Sequence, residues 1–146
     1  MARKAIFLGR WIKHCGWYPG FVVRLFQKQG SRFSDDLVHE SVQLTGPTAY
    51  LKTPLIHFTD PSLDHYLDKF NRYTTLAARQ LYTSGYRFHL TDLLGRPLFS
   101  FVKMYLLKRG FLDGIPGLIL CVLSACYVFT KYAKLWHYRR QGIPEA

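Results

Sequence analysis

Acidic residues are scarce in this chain. Nine Asp and Glu stand against twenty Lys and Arg, for a formal net charge of +11 over 146 residues. That balance excludes a cationic target and points to an anionic one: nucleic acid, acidic lipid head groups or a phosphorylated substrate. Cysteine is equally sparse. Cys15, Cys121 and Cys126 are odd in number and scattered, so no disulfide framework is available and a reducing compartment is the simpler reading. Cys121 and Cys126 are also five residues apart, which puts them on different faces of a helix. No sustained apolar run follows the basic residues of Met1–Arg10, so no secretory signal is read there. There is no glycine-rich phosphate loop, no Ser-His-Asp or Cys-His signature and no Cys/His ligand spacing; His14, His39 and His57 are too dispersed for a metal motif.

Aromatic residues, by contrast, are abundant at 16%, and several sit beside Lys or Arg. A bilayer interface favours that pairing, because an amphipathic ring and a long basic side chain can both straddle apolar and wet zones. Stacking on single-stranded nucleic acid uses the same pairing. The charge is spread around an apolar segment and no nucleic-acid module is recognisable, so nucleic acid is not the expected partner.

The chain divides into three regions and a tail. Residues 1–58 read as loops and short strands, with a strand over Phe21–Phe26 (FVVRLF) and a hairpin of 41–44 with 49–58 around Gly46-Pro47. Residues 59–92 carry an amphipathic helix and linker. Asp60 is the expected N-cap and Pro61 the first helical residue; Leu63, Tyr66, Leu67, Phe70, Tyr73 and Ala77 follow at helical spacing, and Gly85 suits a left-handed C-cap. Residues 93–140 hold PLFSFVKMYLL, then a turn, then an uncharged run of 17 residues from Gly114 to Thr130; residues 141–146 are a tail. A helix over that run covers about 26 Å, short of a hydrocarbon core of about 30 Å. Lys103, Lys108 and Arg109 precede the run, and Lys131, Tyr132, Lys134 and Trp136 follow it, a membrane-edge pattern on both sides. The symmetry gives no orientation, and a helical hairpin turning at Gly110–Gly117 fits at least as well as a crossing. A buried core helix is the remaining reading.

The densest cluster of chemical groups lies early: Gly9-Arg10-Trp11-Ile12-Lys13-His14, Gly16-Trp17-Tyr18-Pro19, Arg24, and Asp35-Asp36 leading to Val38-His39-Glu40. Sugar sites use such mixtures, with aromatic faces against a pyranose and carboxylates or basic groups on its hydroxyls. Asp35, Asp36 and Glu40 are candidates for a base toward a hydroxyl nucleophile; a solvated turn is the bland alternative.

The ordered segments GRWIKHCGWYP, VRLF, VHE, PLIHF, LDKFNRY and FVKMYLLKRGFLDGIPGL, with the Lys-Tyr-Ala-Lys-Leu-Trp tail, together span nearly the whole chain. They resemble the C-terminal part of bacterial family 2 glycosyltransferases of the lipopolysaccharide core, or β-1,4-glucosyltransferase-like, group. The resemblance implies an α+β fold: short strands and loops from the acceptor side of a GT-A-type domain, then the amphipathic helix, then a membrane-associated helical hairpin. It implies transfer of a hexose, with inversion, from a nucleotide sugar to a lipid-linked or lipopolysaccharide acceptor at the cytoplasmic face of the inner membrane. Glu40 is the first choice for the base and Asp36 the second; Trp17 and Tyr18 would line the acceptor side, and Arg24 and His39 would meet a phosphate or sugar hydroxyl. The family's divalent metal, Mg or Mn, is held by an Asp-x-Asp motif that does not occur here. No cofactor is therefore expected on this chain alone, and the nucleotide-sugar-binding half is expected on a separate domain. The alternative is a non-catalytic membrane-surface module that docks on such a domain.

Overall fold

A computed structural model describes residues 1–34 and 41–143. Its first strand, β1 (Ala2–Phe7), alternates Arg3, Ala5 and Phe7 on one face with Lys4 and Ile6 on the other. A tight turn with Leu8 and Gly9 at positive φ brings β2 (Arg10–Trp11) back antiparallel beside its end. β3 (Gly20–Phe21) pairs antiparallel with its start, and β6 (Leu55–Asp60) runs parallel along its other edge, Arg3 opposite Leu55 and Ala5 opposite His57. A separate two-stranded ribbon joins β4 (Ser31–Phe33) to β5 (Val42–Leu44).

Two expectations are corrected here. The strand over Phe21–Phe26 shrinks to Gly20–Phe21, because ladder partners on β1 run out at Val22, whose N–H donates to the Met1 carbonyl. The hairpin around Gly46-Pro47 does not form: residues 42–44 pair backwards with β4, and 55–60 pair with β1. Both segments have strand-like composition, but partner choice is a tertiary matter that composition does not carry.

α1 (Leu63–Thr83) starts two residues later than Asp60 as N-cap would place it. Ser62 caps it instead, its hydroxyl accepting from His65 N–H at 3.1 Å. Asp60 is occupied elsewhere: buried at the end of β6, it receives the Lys69 ammonium at 2.9 Å and bonds the His65 ring, which ties strand to helix. Gly85 ends α1 as its position suggested, with φ +77° and the Tyr86 N–H reaching back to the Leu81 carbonyl.

α2 (Leu90–Val102) continues through a π-helical turn at Lys103–Leu107, and Arg109 at φ +53° begins the reversal. A 3-10 turn (Gly110–Asp113) leads into α3 (Gly114–Gln141). α3 is longer than the uncharged run. Its 28 residues cover about 42 Å, because Lys131 and Lys134 continue it by packing beside Tyr132 and against α1. α2 and α1 both pack on α3, and two apolar clusters result. One joins Phe7, Ile12 and Cys15 to Leu120 and Cys121; the other joins Ala78 to Tyr132, Leu135 and Tyr138.

The turn of the α2–α3 pair is pinned to the sheet. Both oxygens of the buried Asp113 carboxylate accept from backbone N–H groups, Lys13 at 3.2 Å and His14 at 2.8 Å, and the His14 ring lies 3.0 Å away. The Cys15 N–H donates to the Lys108 carbonyl at 3.1 Å. Gly110 and Gly117 permit this approach: a Cβ at Gly117 would sit 2.3 Å from the Gly110 carbonyl oxygen, and one at Gly110 would sit 2.8 Å from the Cys15 sulfur. Gly117→Ala is therefore expected to destabilise the chain by about 1–3 kcal/mol through overpacking, whereas Gly95→Ala, with open space around it, should not. Paired denaturation curves measure the difference.

Candidate functional site

On β1 and β6, Arg3 and His57 point to the same face of the sheet, because residues two apart on a strand and their parallel partners share a face. Lys69 reaches the end of β6 from α1, and Arg24 follows β3 into the same electrostatic neighbourhood. Burial first, then the charges of Arg3, Lys69 and Arg24, hold the His57 imidazole below its ordinary pKa, with Asp60 opposing them. The Arg3 Nε is buried and has no hydrogen-bond partner among the described residues. A spare guanidinium donor, two more cations and a neutral imidazole suit an oxyanion or a sugar hydroxyl. Beside Arg24 opens a groove of about 530 Å³ lined by Met1, Val22, Gln27, Gln29 and Tyr50.

The residues singled out from sequence separate into several places. Arg24 lies in this basic cluster. Trp17 is half-buried with its ring edge-on to Phe7 at 6.1 Å, part of the core more than a free stacking surface. Tyr18 is exposed and packs edge-on to Trp11 at 5.3 Å, where the Lys4 and Lys13 ammonium groups lie over the Trp11 ring. Glu40, Asp36 and His39 lie outside the described residues. Arg3 and Lys69 were not singled out by sequence. A cation alternating with small and apolar residues in ARKAIF was the available signal for Arg3, and it needed the β6 pairing to acquire meaning.

The residues read as membrane-interface anchors also divide. Lys103, Lys108, Arg109 and Trp136 are exposed, and the Arg140 guanidinium lies over the Trp136 ring at 5.1 Å. Tyr132 is buried in the core, and Lys131 lies 4.6 Å over its ring. The Lys134 ammonium is spent on α1, donating to Asn71 Oδ1, Thr74 Oγ1 and Thr75 Oγ1 at 2.7–2.9 Å. Lys134 and Tyr132 therefore join α3 to its neighbours and face inward.

Among the described residues no three His, Cys, Asp or Glu side chains come together to hold a metal. Cys15 and Cys121 touch at 3.7 Å, and burial pushes both thiols up, with the Asp113 charge adding to it in each. Thiols held protonated in this way are packing groups, not nucleophiles.

Comparison with known proteins shows what the chain is similar to. A lipopolysaccharide core biosynthesis glycosyltransferase of Rhizobium meliloti is 29% identical over 116 residues, which cover 78% of this chain and 43% of the relative. An uncharacterized glycosyltransferase of Rickettsia typhi is 25% identical over 122 residues, and one of Rickettsia prowazekii 25% over 121, each covering 77% of this chain and 42% and 41% of the relative. The chain matches the C-terminal part of a glycosyltransferase. It spans about two fifths of the length of these curated relatives. No family model and no solved structure matches it. Among the described residues the fold is mixed α/β, with short strands and three α-helices, of which the apolar C-terminal one is long enough to cross a membrane.

The basic cluster makes a direct prediction. The His57 ring should titrate below the ordinary imidazole value, and Arg24→Gln, which removes one repelling cation, should move its midpoint upward. Proton NMR of the ring follows both. An unchanged midpoint in the variant would take Arg24 out of the cluster.

Proposed function

We propose that the chain is the acceptor-side part of a membrane-associated, GT-A-type family 2 glycosyltransferase. The whole enzyme transfers a hexose from a nucleotide sugar to a lipid-linked or lipopolysaccharide acceptor at the cytoplasmic face of the inner membrane. The similarity to the lipopolysaccharide core enzyme over 78% of the chain carries this reading, and the Arg3, Arg24 and His57 cluster supports it as a place for acceptor phosphate or hydroxyl groups. Glu40, with Asp36 as the second choice, removes the proton of the acceptor hydroxyl. That oxygen then attacks the anomeric carbon from the face opposite the departing nucleoside diphosphate, which inverts the centre. Tyr18, Trp17 and His39 shape the acceptor side. A divalent metal, Mg or Mn, would neutralise the departing diphosphate. In this reading a separate nucleotide-sugar-binding domain would hold that metal.

A second reading is a non-catalytic membrane-surface module docked on a separate donor domain. The edge of β6, which has no further strand beside it among the described residues, and its exposed Ile56 and Phe58 favour it, because parallel strands are normally covered on both faces.

Grafting this chain in place of the matching segment of the Rhizobium relative tests the enzymatic reading. Sugar addition to the core acceptor should survive in the chimera and fall by about 10²–10⁴-fold in the Glu40→Gln variant, the usual worth of a general base. Undiminished transfer in that variant would remove Glu40 from the role.

A further inference from the structure

About half of the exposed large apolar side chains among the described residues lie on the α2–α3 pair. Ile115, Leu118, Val122, Cys126, Phe129 and Trp136 recur three, four or seven residues apart along α3, and all are exposed. That is one continuous stripe on a helix. Leu90, Leu94 and Leu98 make a second stripe on α2, and Leu106, Leu107, Phe111 and Leu112 carry apolar surface around the turn. Single exposed apolar residues are ordinary, but a run of this extent marks an interaction face.

Charge indicates what covers it. From Leu90 to Ile143 the only acids are Asp92 and Asp113, and both are buried and bonded, Asp92 by Tyr86 and Arg96 and Asp113 by the loop at residues 13–14. The exposed charges along the pair are all positive; Arg96 is paired with Asp92 and Arg139 donates to the Tyr86 carbonyl, which leaves Lys103, Lys108, Arg109 and Arg140 to meet a surface. An apolar face rimmed only by cations, with a Trp-Arg pair at one end, matches an anionic lipid surface.

The packing then limits how that surface is met. To cross the bilayer, α3 would have to take its turn through the hydrocarbon. Asp113, in that turn, holds the Lys13–His14 loop, and the Arg10 guanidinium lies beside Gly114. The other end of α3 is bound along α1: Tyr127 donates to the Tyr73 carbonyl, Lys134 bonds Asn71, Thr74 and Thr75, and Tyr82 packs on Tyr138. α1 exposes Asp64, Asp68 and Arg72. Either a crossing or a turn-first insertion would carry charged groups and strand backbone into hydrocarbon. Only the outer side of α3 is free of such attachments.

Building on the membrane-associated reading above, we propose that α3 lies in the plane of an anionic monolayer and does not cross it, with the Ile115–Trp136 stripe sunk at its head-group boundary. The basic rim sits at the phosphates, and the sheet stays on the aqueous side.

Depth measurement on the full chain tests this. Cys126 is exposed and is labelled with an environment-sensitive maleimide dye; Ile115→Cys and Phe129→Cys, in a Cys126→Ser background, supply two more positions, while Cys15 and Cys121 stay buried. Vesicles of phosphatidylglycerol and phosphatidylethanolamine carry brominated lipids at graded depths. All three dyes should report the same shallow depth, and binding should drop at least tenfold in pure phosphatidylcholine. Positions 115 and 129 are about 21 Å apart along the helix axis, so a depth difference above about 10 Å between them would overturn the in-plane placement while leaving membrane association standing. Binding without quenching at any of the three positions would overturn this face as the contact. Failure to bind either vesicle would instead sink the membrane reading on which the placement rests.

Discussion

The Asp113 carboxylate holds two halves of the chain together. It sits in the turn between α2 and α3 and accepts from backbone N–H groups about a hundred residues earlier. A buried carboxylate is costly unless its oxygens are fully used, and here backbone donors at Lys13 and His14 and the His14 ring use them. Those donors converge because Cys15 and Gly16 both take positive φ, which curls the loop around the anion. The apolar cluster of Phe7, Ile12, Cys15, Leu120 and Cys121 closes directly around this contact. Without it the sheet and the helical pair would share little more than the α1 packing. With it, whatever the helices rest on fixes where the sheet and its basic cluster point.

Legibility in the sequence followed the range of the interactions. α1 was readable because its apolar spacing and the Gly85 terminus are local, and only its first turn was misplaced, since Asp60 turned out to be engaged by Lys69 and His65. The apolar third region was readable as helical for the same reason. The strands were not. Ala2–Phe7 is short and carries two cations, and it becomes a central strand only because β6, some fifty residues later, pairs along it. The candidate site shared that difficulty. Arg24 stood out as a basic residue near aromatics, but Arg3, His57 and Lys69 come together through a parallel strand pair and a helix that no sequence spacing announces. Lys134 erred in the other direction: a cation after an apolar run reads as an interface anchor, yet its ammonium is consumed by three side chains of α1.

Two of the exposed apolar surfaces among the described residues differ in their backbones, which suits them to different contacts. The α2–α3 surface consists of helices whose N–H and C=O groups are bonded internally, so it can enter an apolar phase at no hydrogen-bond cost. The β6 edge cannot. Ile56 and Phe58 are as exposed as the helical stripe, but they stand on a strand whose outer N–H and C=O groups find no ladder partner among the described residues. Lipid offers nothing to those groups, whereas a further strand satisfies them at each step. The helical face is therefore the one suited to lipid and the strand edge the one suited to polypeptide. Arg3 and His57 of the basic cluster stand on the sheet face that Phe7 turns to the helices, opposite Ile56 and Phe58. In the function proposed above, a membrane-rooted acceptor and a donor held on polypeptide would meet at that cluster.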